Sequence, residues 1–231
     1  MSKLPSINVG WTGASGIAYG VRLVDVLLQA GRDVDLCVSS AVAQTAPVEL
    51  DLTVEGVVAR LAEMGPGELR VWGKTEFTSP MASGSAQGGP LVIIPCSMGT
   101  LARITTGTSE TLLLRAADVV LKERRPLILV PRETPLATHH LENMATLSAR
   151  GALILPAMPG FYHRPQSPGD MIDFIVQRVC EHLALMAPLP IVRAEDVRAL
   201  LYQQSSAAAG TDPEEIDRLL EDIAILKKEK E

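Results

Sequence analysis

Apolar residues along this chain arrive in two rhythms. Short stretches rich in apolar residues at 6–11, 34–38, 91–95, 127–130 and 152–155, continuous at 91–95, predict buried strands. Between most of them the apolar positions fall at helical spacing, most clearly at residues 17–29, where Val21, Leu23, Val24, Leu27 and Leu28 share a face, and at residues 170–185. Strand and helix in alternation predict an α/β protein with a doubly wound parallel sheet in a single domain.

Two stretches break the pattern. Residues 64–89 are rich in Gly, Ser and Pro and read mostly as irregular loop. Past residue 188 the composition turns to Glu, Asp, Arg, Ala and Lys, with a flexible break at 205–210 and a helix start at Asp212-Pro213. The expected organisation is therefore one domain over residues 1–188 and a helical C-terminal extension over 189–231. No internal repeat is visible.

Charge and composition narrow the function. A formal net charge of -6 without long basic runs argues against a nucleic-acid surface. Cys37, Cys96 and Cys180 are far apart and match no metal-ligand spacing, so a reducing, cytoplasmic setting without a metal site is expected. The first residues lack an apolar signal core, and no apolar stretch reaches the roughly 18 residues of a membrane helix. Aromatics are only 3% of the chain, which leaves Val, Leu, Ile and Ala to build the core.

Candidate chemistry follows the strands. Ligands of doubly wound sheets bind at the carboxyl ends of the strands, so the segments 12–16, 39–40, 96–100, 131–133 and 156–163 are expected to converge. Gly10, Gly13 and Gly16 surround Ser15 just before a helix, where free N–H groups suit a phosphate or a flavin edge, although any tight strand-to-helix turn uses such glycines. Ser39-Ser40 offers two hydroxyls to a phosphate, or an ordinary helix cap. Cys96 has no base nearby in sequence and reads as a packing residue beside Ser97 and Thr100.

Arg115, Lys122, Arg124, Arg125 and Arg132 form a dense basic set for an acidic protein. Glu133 follows Arg132 at a strand end, where a buried carboxylate beside an arginine is poised for proton transfer; a helix-start ion pair is the competing account. Tyr162 and Arg178 are candidates to bind and neutralise a phosphate. His139-His140 point to different sides of a helix and lack a third ligand.

Several segments together resemble UbiX-type flavin prenyltransferases: Thr12-Gly13-Ala14-Ser15-Gly16, Ala82-Ser83-Gly84-Ser85, Pro95-Cys96-Ser97, Arg115-Ala116-Ala117-Asp118-Val119, residues 121–126, Pro131-Arg132-Glu133-Thr134-Pro135, residues 140–144 and residues 160–167. The resemblance runs in order from about residue 7 to about residue 185 and leaves the tail uncovered. It implies a Rossmann-like, flavodoxin-like fold and a metal-independent reaction of reduced FMN with dimethylallyl phosphate, at flavin N5 and C6, giving prenylated FMN for a UbiD-type decarboxylase. By the same resemblance, Gly13, Ala14, Ser15, Ser39, Ser97, Thr100 and Arg132 hold FMN, and Arg115 reaches the flavin of a neighbouring subunit. Phe77, Ala82, Ser83, Gly84, Lys122, Tyr162 and Arg178 bind the prenyl phosphate. Glu133 transfers protons with Ser15 and Glu49 as partners, and the assembly is a trimer-based homododecamer.

Phe77 stands where related sequences often carry Trp, which leaves a smaller aromatic wall over the allyl group. Two other readings compete. One is an FMN-dependent cysteine decarboxylase, whose histidine motif none of His139, His140, His163 and His182 reproduces. The other is a noncatalytic FMN or prenyl-FMN carrier serving a decarboxylase.

Overall fold

The computed structural model describes residues 4–86 and 88–183. Its strands are Ile7–Trp11 (β1), Val34–Val38 (β2), Leu69–Trp72 (β3), Leu91–Cys96 (β4), Leu127–Pro131 (β5) and Leu153–Ile154 (β6). All pair in parallel in one sheet of order β3-β2-β1-β4-β5-β6. The helices are Ile17–Gln29 (α1), Val42–Leu50 (α2), Val54–Leu61 (α3), Met98–Thr105 (α4), Leu112–Lys122 (α5), Thr138–Ala149 (α6) and Pro168–His182 (α7).

Period-two alternation along the strands divides the core into two layers. Ile7, Val9, Leu36, Val92, Ile94, Ile128 and Val130 pack with residues of α1, α2, α3 and α7. Cys37, Leu91, Ile93, Leu127 and Leu129 pack on the other face with α4, α5 and α6. Because both faces are covered, β4 and β5 are apolar at nearly every position, which is why they read as runs in the sequence.

Helix ends follow local chemistry. Thr53, Ser97, Thr111 and Ser167 each accept a main-chain N–H at the start of α3, α4, α5 and α7. At α7 the Asp170 carboxylate also accepts the Ser167 N–H at 3.0 Å, completing a capping box. Helix α7 is tied to α1 by Arg22, whose Nε lies 2.7 Å from Asp173 and whose guanidinium also meets the buried Asp25 at 2.6 Å.

The stretch 64–89 is mostly irregular, as expected, and within it lie one unexpected strand, β3, and a 3-10 turn at Pro80–Ala82. Strand β3 has four residues, only half-buried, at the edge of the sheet, so it carries neither a long apolar run nor a clean alternation. Polar side chains hold it: Asp35, 1% exposed on β2, accepts from Arg70 at 2.9 and 3.1 Å and from Trp72 Nε1 at 2.8 Å. Burial opposes the charge on Asp35, yet the bonds from Arg70, Ser6 and Trp72 win and hold its carboxyl below the usual range. The expected helical extension at 189–231 lies outside the described residues.

Candidate active site

Pro95 interrupts the ladder of a central strand, and the register of β4 on β5 shifts between Ile93 and Cys96. The freed Pro95 carbonyl accepts the hydroxyl of Thr12 at 2.7 Å, and the same Thr12 oxygen accepts the Ser97 N–H at 2.8 Å. This stitch sets the loop after β1 against the start of α4. Ser97 then accepts from the Thr100 N–H at 3.3 Å, and its hydroxyl lies 3.0 Å from that of Thr100.

A cleft of about 360 Å³ opens beside this stitch, lined by Gly13, Ser39, Ser40, Ser97 and Thr100 among others. Among the described residues, Ser39 Oγ is buried and has no hydrogen-bond partner. A buried hydroxyl without a partner costs about 1–3 kcal/mol, so a ligand able to bond it is favoured there. At Gly13 a Cβ would lie 2.4 Å from Ala41 Cβ, so only glycine lets the loop after β1 approach the entry of α2 this closely. Ala14 is buried beside it.

The start of α1 and Glu133 are placed differently from the expectation. The first N–H groups of α1, expected to attract a phosphate, are taken by Glu49, which accepts from Gly16 at 2.9 Å and from Ile17 at 3.0 Å. Ser15 is exposed, and its carbonyl accepts Arg132 Nε at 3.0 Å, bringing the loops after β1 and β5 together. Glu133 is exposed rather than buried within one chain, and its Oε1 accepts the Thr134 N–H at 3.0 Å.

Lys122 lies at the other end of the sheet. Helix α5 starts near the carboxyl edge, where the Leu112 N–H donates to the Lys74 carbonyl just past β3, and it descends to the amino edge, where the Leu91 N–H meets the Pro126 carbonyl. There Lys122 bonds Glu123 at 2.5 Å. The segment expected to receive prenyl phosphate gathers at the same place: a Cβ on Gly84 would lie 2.6 Å from Lys122 Nζ, and Arg125 donates to the Gly84 carbonyl at 2.8 Å. Arg115 holds Ala82 through its carbonyl at 3.2 Å and pairs with Asp118 at 2.9 Å, while the hydroxyls of Ser83 and Ser85 are 3.0 Å apart. Lys122, Asp118, Arg124 and Arg150 line a second cleft of about 550 Å³.

Tyr162 is 83% exposed in the loop after β6 and meets Phe174 edge-on at 5.9 Å. Arg178 pairs with Glu181 on the surface of α7, and Phe77 is exposed. One chain thus assembles Gly13, Ser39, Ser97, Thr100 and Arg132 on the carboxyl edge, and separately assembles Ala82, Ser83, Gly84 and Lys122 on the amino edge.

The cleft also holds residues not singled out in the sequence. Lys74, Arg103, Glu110 and Thr111 line it, with Arg103 paired to Glu110 at 3.4 Å. Lys74 follows β3, so recognising that strand was the signal that would have placed it. Burial pushes the thiol of Cys37, at the cleft wall, up to about 11, and that of Cys96 up to about 12, which disfavours the reactive thiolate at both. His140 Nδ1 accepts the Ala137 N–H at 3.1 Å, a structural use at the start of α6. Among the described residues, no group of three or more His, Cys, Asp and Glu is placed to hold a metal, and no helix is long and apolar enough to cross a membrane.

Residues 1–180 match the Flavoprotein family. The flavin prenyltransferase UbiX of Pseudomonas aeruginosa is 46% identical over 192 residues, covering 80% of this chain and 92% of that protein. The structure of AnUbiX (PadA1) in complex with FMN and dimethylallyl pyrophosphate superposes with a TM-score of 0.73 at 36% identity, over 79% of this chain and 93% of that one. A dodecameric FMN-dependent UbiX-like decarboxylase from Escherichia coli O157:H7 superposes with a TM-score of 0.71 at 38% identity, over 78% and 94%. A narrow cleft with an unpartnered hydroxyl, small residues and two capping side chains suits a flavin nucleotide. The chain belongs to the flavoprotein family and, within it, to the UbiX flavin prenyltransferases.

Proposed function

We propose that the protein is a metal-independent flavin prenyltransferase that joins dimethylallyl phosphate to reduced FMN, at flavin N5 and C6, to give prenylated FMN. The observation that carries this reading is the carboxyl-edge cleft, where the buried, unpartnered Ser39 hydroxyl meets Gly13, Ser97 and Thr100. Reduced FMN supplies the electron-rich N5 and C6. Everything else is asked of the chain's own residues.

Gly13, Ala14, Ser15, Ser39, Ser97, Thr100 and Arg132 hold the flavin. Lys122, Tyr162 and Arg178 stabilise the phosphate as it departs, doing with fixed charges and a hydroxyl what a metal ion does elsewhere. Glu133 moves protons, with Ser15 and Glu49 as its partners. Phe77 and the segment Ala82, Ser83 and Gly84 receive the prenyl group and its phosphate.

The topology supports a site shared between copies. Helix α5 is about 16 Å long, and Lys122 and Arg115 belong to it, so Lys122 reaches a flavin cleft only on a neighbouring subunit. A trimer-based homododecamer meets that requirement and accords with the dodecameric E. coli relative. The product passes to a UbiD-type decarboxylase, and the setting is the cytoplasm.

Purified protein, incubated anaerobically with reduced FMN and dimethylallyl phosphate, is expected to yield a flavin heavier by one five-carbon unit. An unchanged flavin mass would sink the prenyltransferase reading and leave a flavin carrier in its place.

A further inference from the structure

Beside its hydroxyls, the flavin cleft is lined by two cationic side chains. Ser39 and Ser40 follow β2, and Lys74 follows β3, the neighbouring strand whose Trp72 pairs with Cys37. Both strand ends open into the same cleft. The cations lining that cleft are Lys74 and Arg103, and Arg103 is engaged with Glu110 at 3.4 Å. Lys74 has no ion-pair partner among the described residues. At the same end, Ser39 Oγ is buried without a hydrogen-bond partner among the described residues.

The alternative seat for an anion is closed. The leading N–H groups of α1 already serve the Glu49 carboxylate at 2.9 and 3.0 Å. A second anion placed there would meet a carboxylate. Arg132, the cation of the loop after β5, donates to the Ser15 carbonyl at 3.0 Å, three strands from β2 in the sheet order. Three inter-strand steps amount to roughly 14 Å, a distance suited to the length of a flavin nucleotide lying along the edge.

We propose that Lys74 is the counter-charge for the phosphate monoester of the flavin nucleotide, so that Lys74 and Ser39 together make the cleft select FMN over riboflavin. This rests on the flavin-binding reading above. A phosphate monoester carries about −1.5 to −2 charge at pH 7, and a lysine acts on it as a mobile point charge. Lys74 is held for this task by its own backbone, because its carbonyl accepts the Leu112 N–H at 2.7 Å. Side-chain substitution therefore spares the bond that anchors the start of α5.

The test is a titration of FMN and of riboflavin into the full-length protein and into Lys74→Gln and Lys74→Arg. Lys74→Gln is expected to weaken FMN about tenfold or more, the worth of one charge-assisted contact, with riboflavin affinity unchanged. Lys74→Arg is expected to restore most of the FMN affinity. Raised salt is expected to erode the wild-type preference for FMN and to leave Lys74→Gln unaffected. If wild type prefers FMN and Lys74→Gln keeps the same FMN-to-riboflavin ratio, the role of Lys74 is overturned while the flavin site stands. If wild type binds no flavin at all, the site reading itself is overturned and Lys74 falls with it.

Discussion

Glu49 Oε2 lies 2.9 Å from the Gly16 main-chain nitrogen and accepts its N–H, closing the N-terminus of α1 with a carboxylate carried by α2. The position is electrostatically favourable, because a helix N-terminus carries partial positive charge. It also holds Glu49 at the residue next to Ser15, the two being the proposed partners of Glu133 in proton transfer. Glu49→Gln is expected to lower the unfolding free energy by about 0.5–1 kcal/mol in a urea titration. Turnover at saturating flavin is expected to fall by much more than that loss explains. Unchanged stability would show that these bonds do not form in solution.

The contact of Gly13 with Ala41 gives a sharper stability-versus-binding split. Gly13→Ala would place a methyl 2.4 Å from Ala41 Cβ, which forces the loop after β1 away from α2 and distorts the cleft. Overpacking of this kind costs typically about 1–3 kcal/mol. FMN affinity should drop at least tenfold, and the double variant Gly13→Ala with Ala41→Gly should recover most of it. Failure of the double variant to recover binding would mean that Gly13 matters for another reason.

Acid stability should depend on Asp35. Its folded carboxyl is held below the ordinary value, because bonds from Arg70, Ser6 and Trp72 outweigh the opposing effect of burial. A depressed carboxyl contributes stability that is fully present above its unfolded value, near pH 4, and lost as pH falls through the folded value. Asp35→Asn should therefore cost roughly 1–3 kcal/mol at pH 7, moderated because Arg70 is about a third exposed. It should also flatten the acid limb of the stability curve below about pH 4. An acid limb as steep in the variant as in the wild type would refute this.

The three thiols should be silent. Burial raises Cys37 to about 11 and Cys96 and Cys180 to about 12. Native protein at pH 8 is expected to react negligibly with a thiol-modifying reagent over the time in which denatured protein reacts at all three positions. Cys96→Ala should retain prenyl transfer, and its loss of activity without loss of stability would reopen a nucleophilic role.

How much of this was legible in the sequence depended on burial. Strands β1, β2, β4 and β5 are covered on both faces, so hydrophobicity alone revealed them, and the residues just past each one marked the carboxyl edge. Strand β3 was missed because polar bonds to Asp35 hold it instead of an apolar run, and Lys74 was missed with it. Ser39, Ser97 and Thr100 could be named from their positions after strands. That the Glu49 carboxylate takes the start of α1 could not, since residues 33 positions apart in sequence meet only through the packing of α2 on α1. Likewise, the segregation of Lys122 from the flavin cleft follows from the direction of α5, which spacing and composition do not record.

That segregation leads to a mixing experiment. If each site takes Ser39 from one chain and Lys122 from a neighbour, Ser39→Ala and Lys122→Ala damage different subunits of the same site. Lys122→Ala should spoil use of dimethylallyl phosphate while sparing FMN binding, and Glu133→Gln should slow turnover with FMN retained. Ser39→Ala should chiefly weaken FMN. Assemblies dissociated and reformed from equal amounts of Ser39→Ala and Lys122→Ala protein then contain about a quarter of sites with both residues intact, by random pairing across a heterologous contact. Activity well above that of either parent assembly, approaching that fraction of wild type, is the expected result. Were Ser39 and Lys122 to serve one site from the same chain, every site would carry one defect or the other, and mixing would restore nothing.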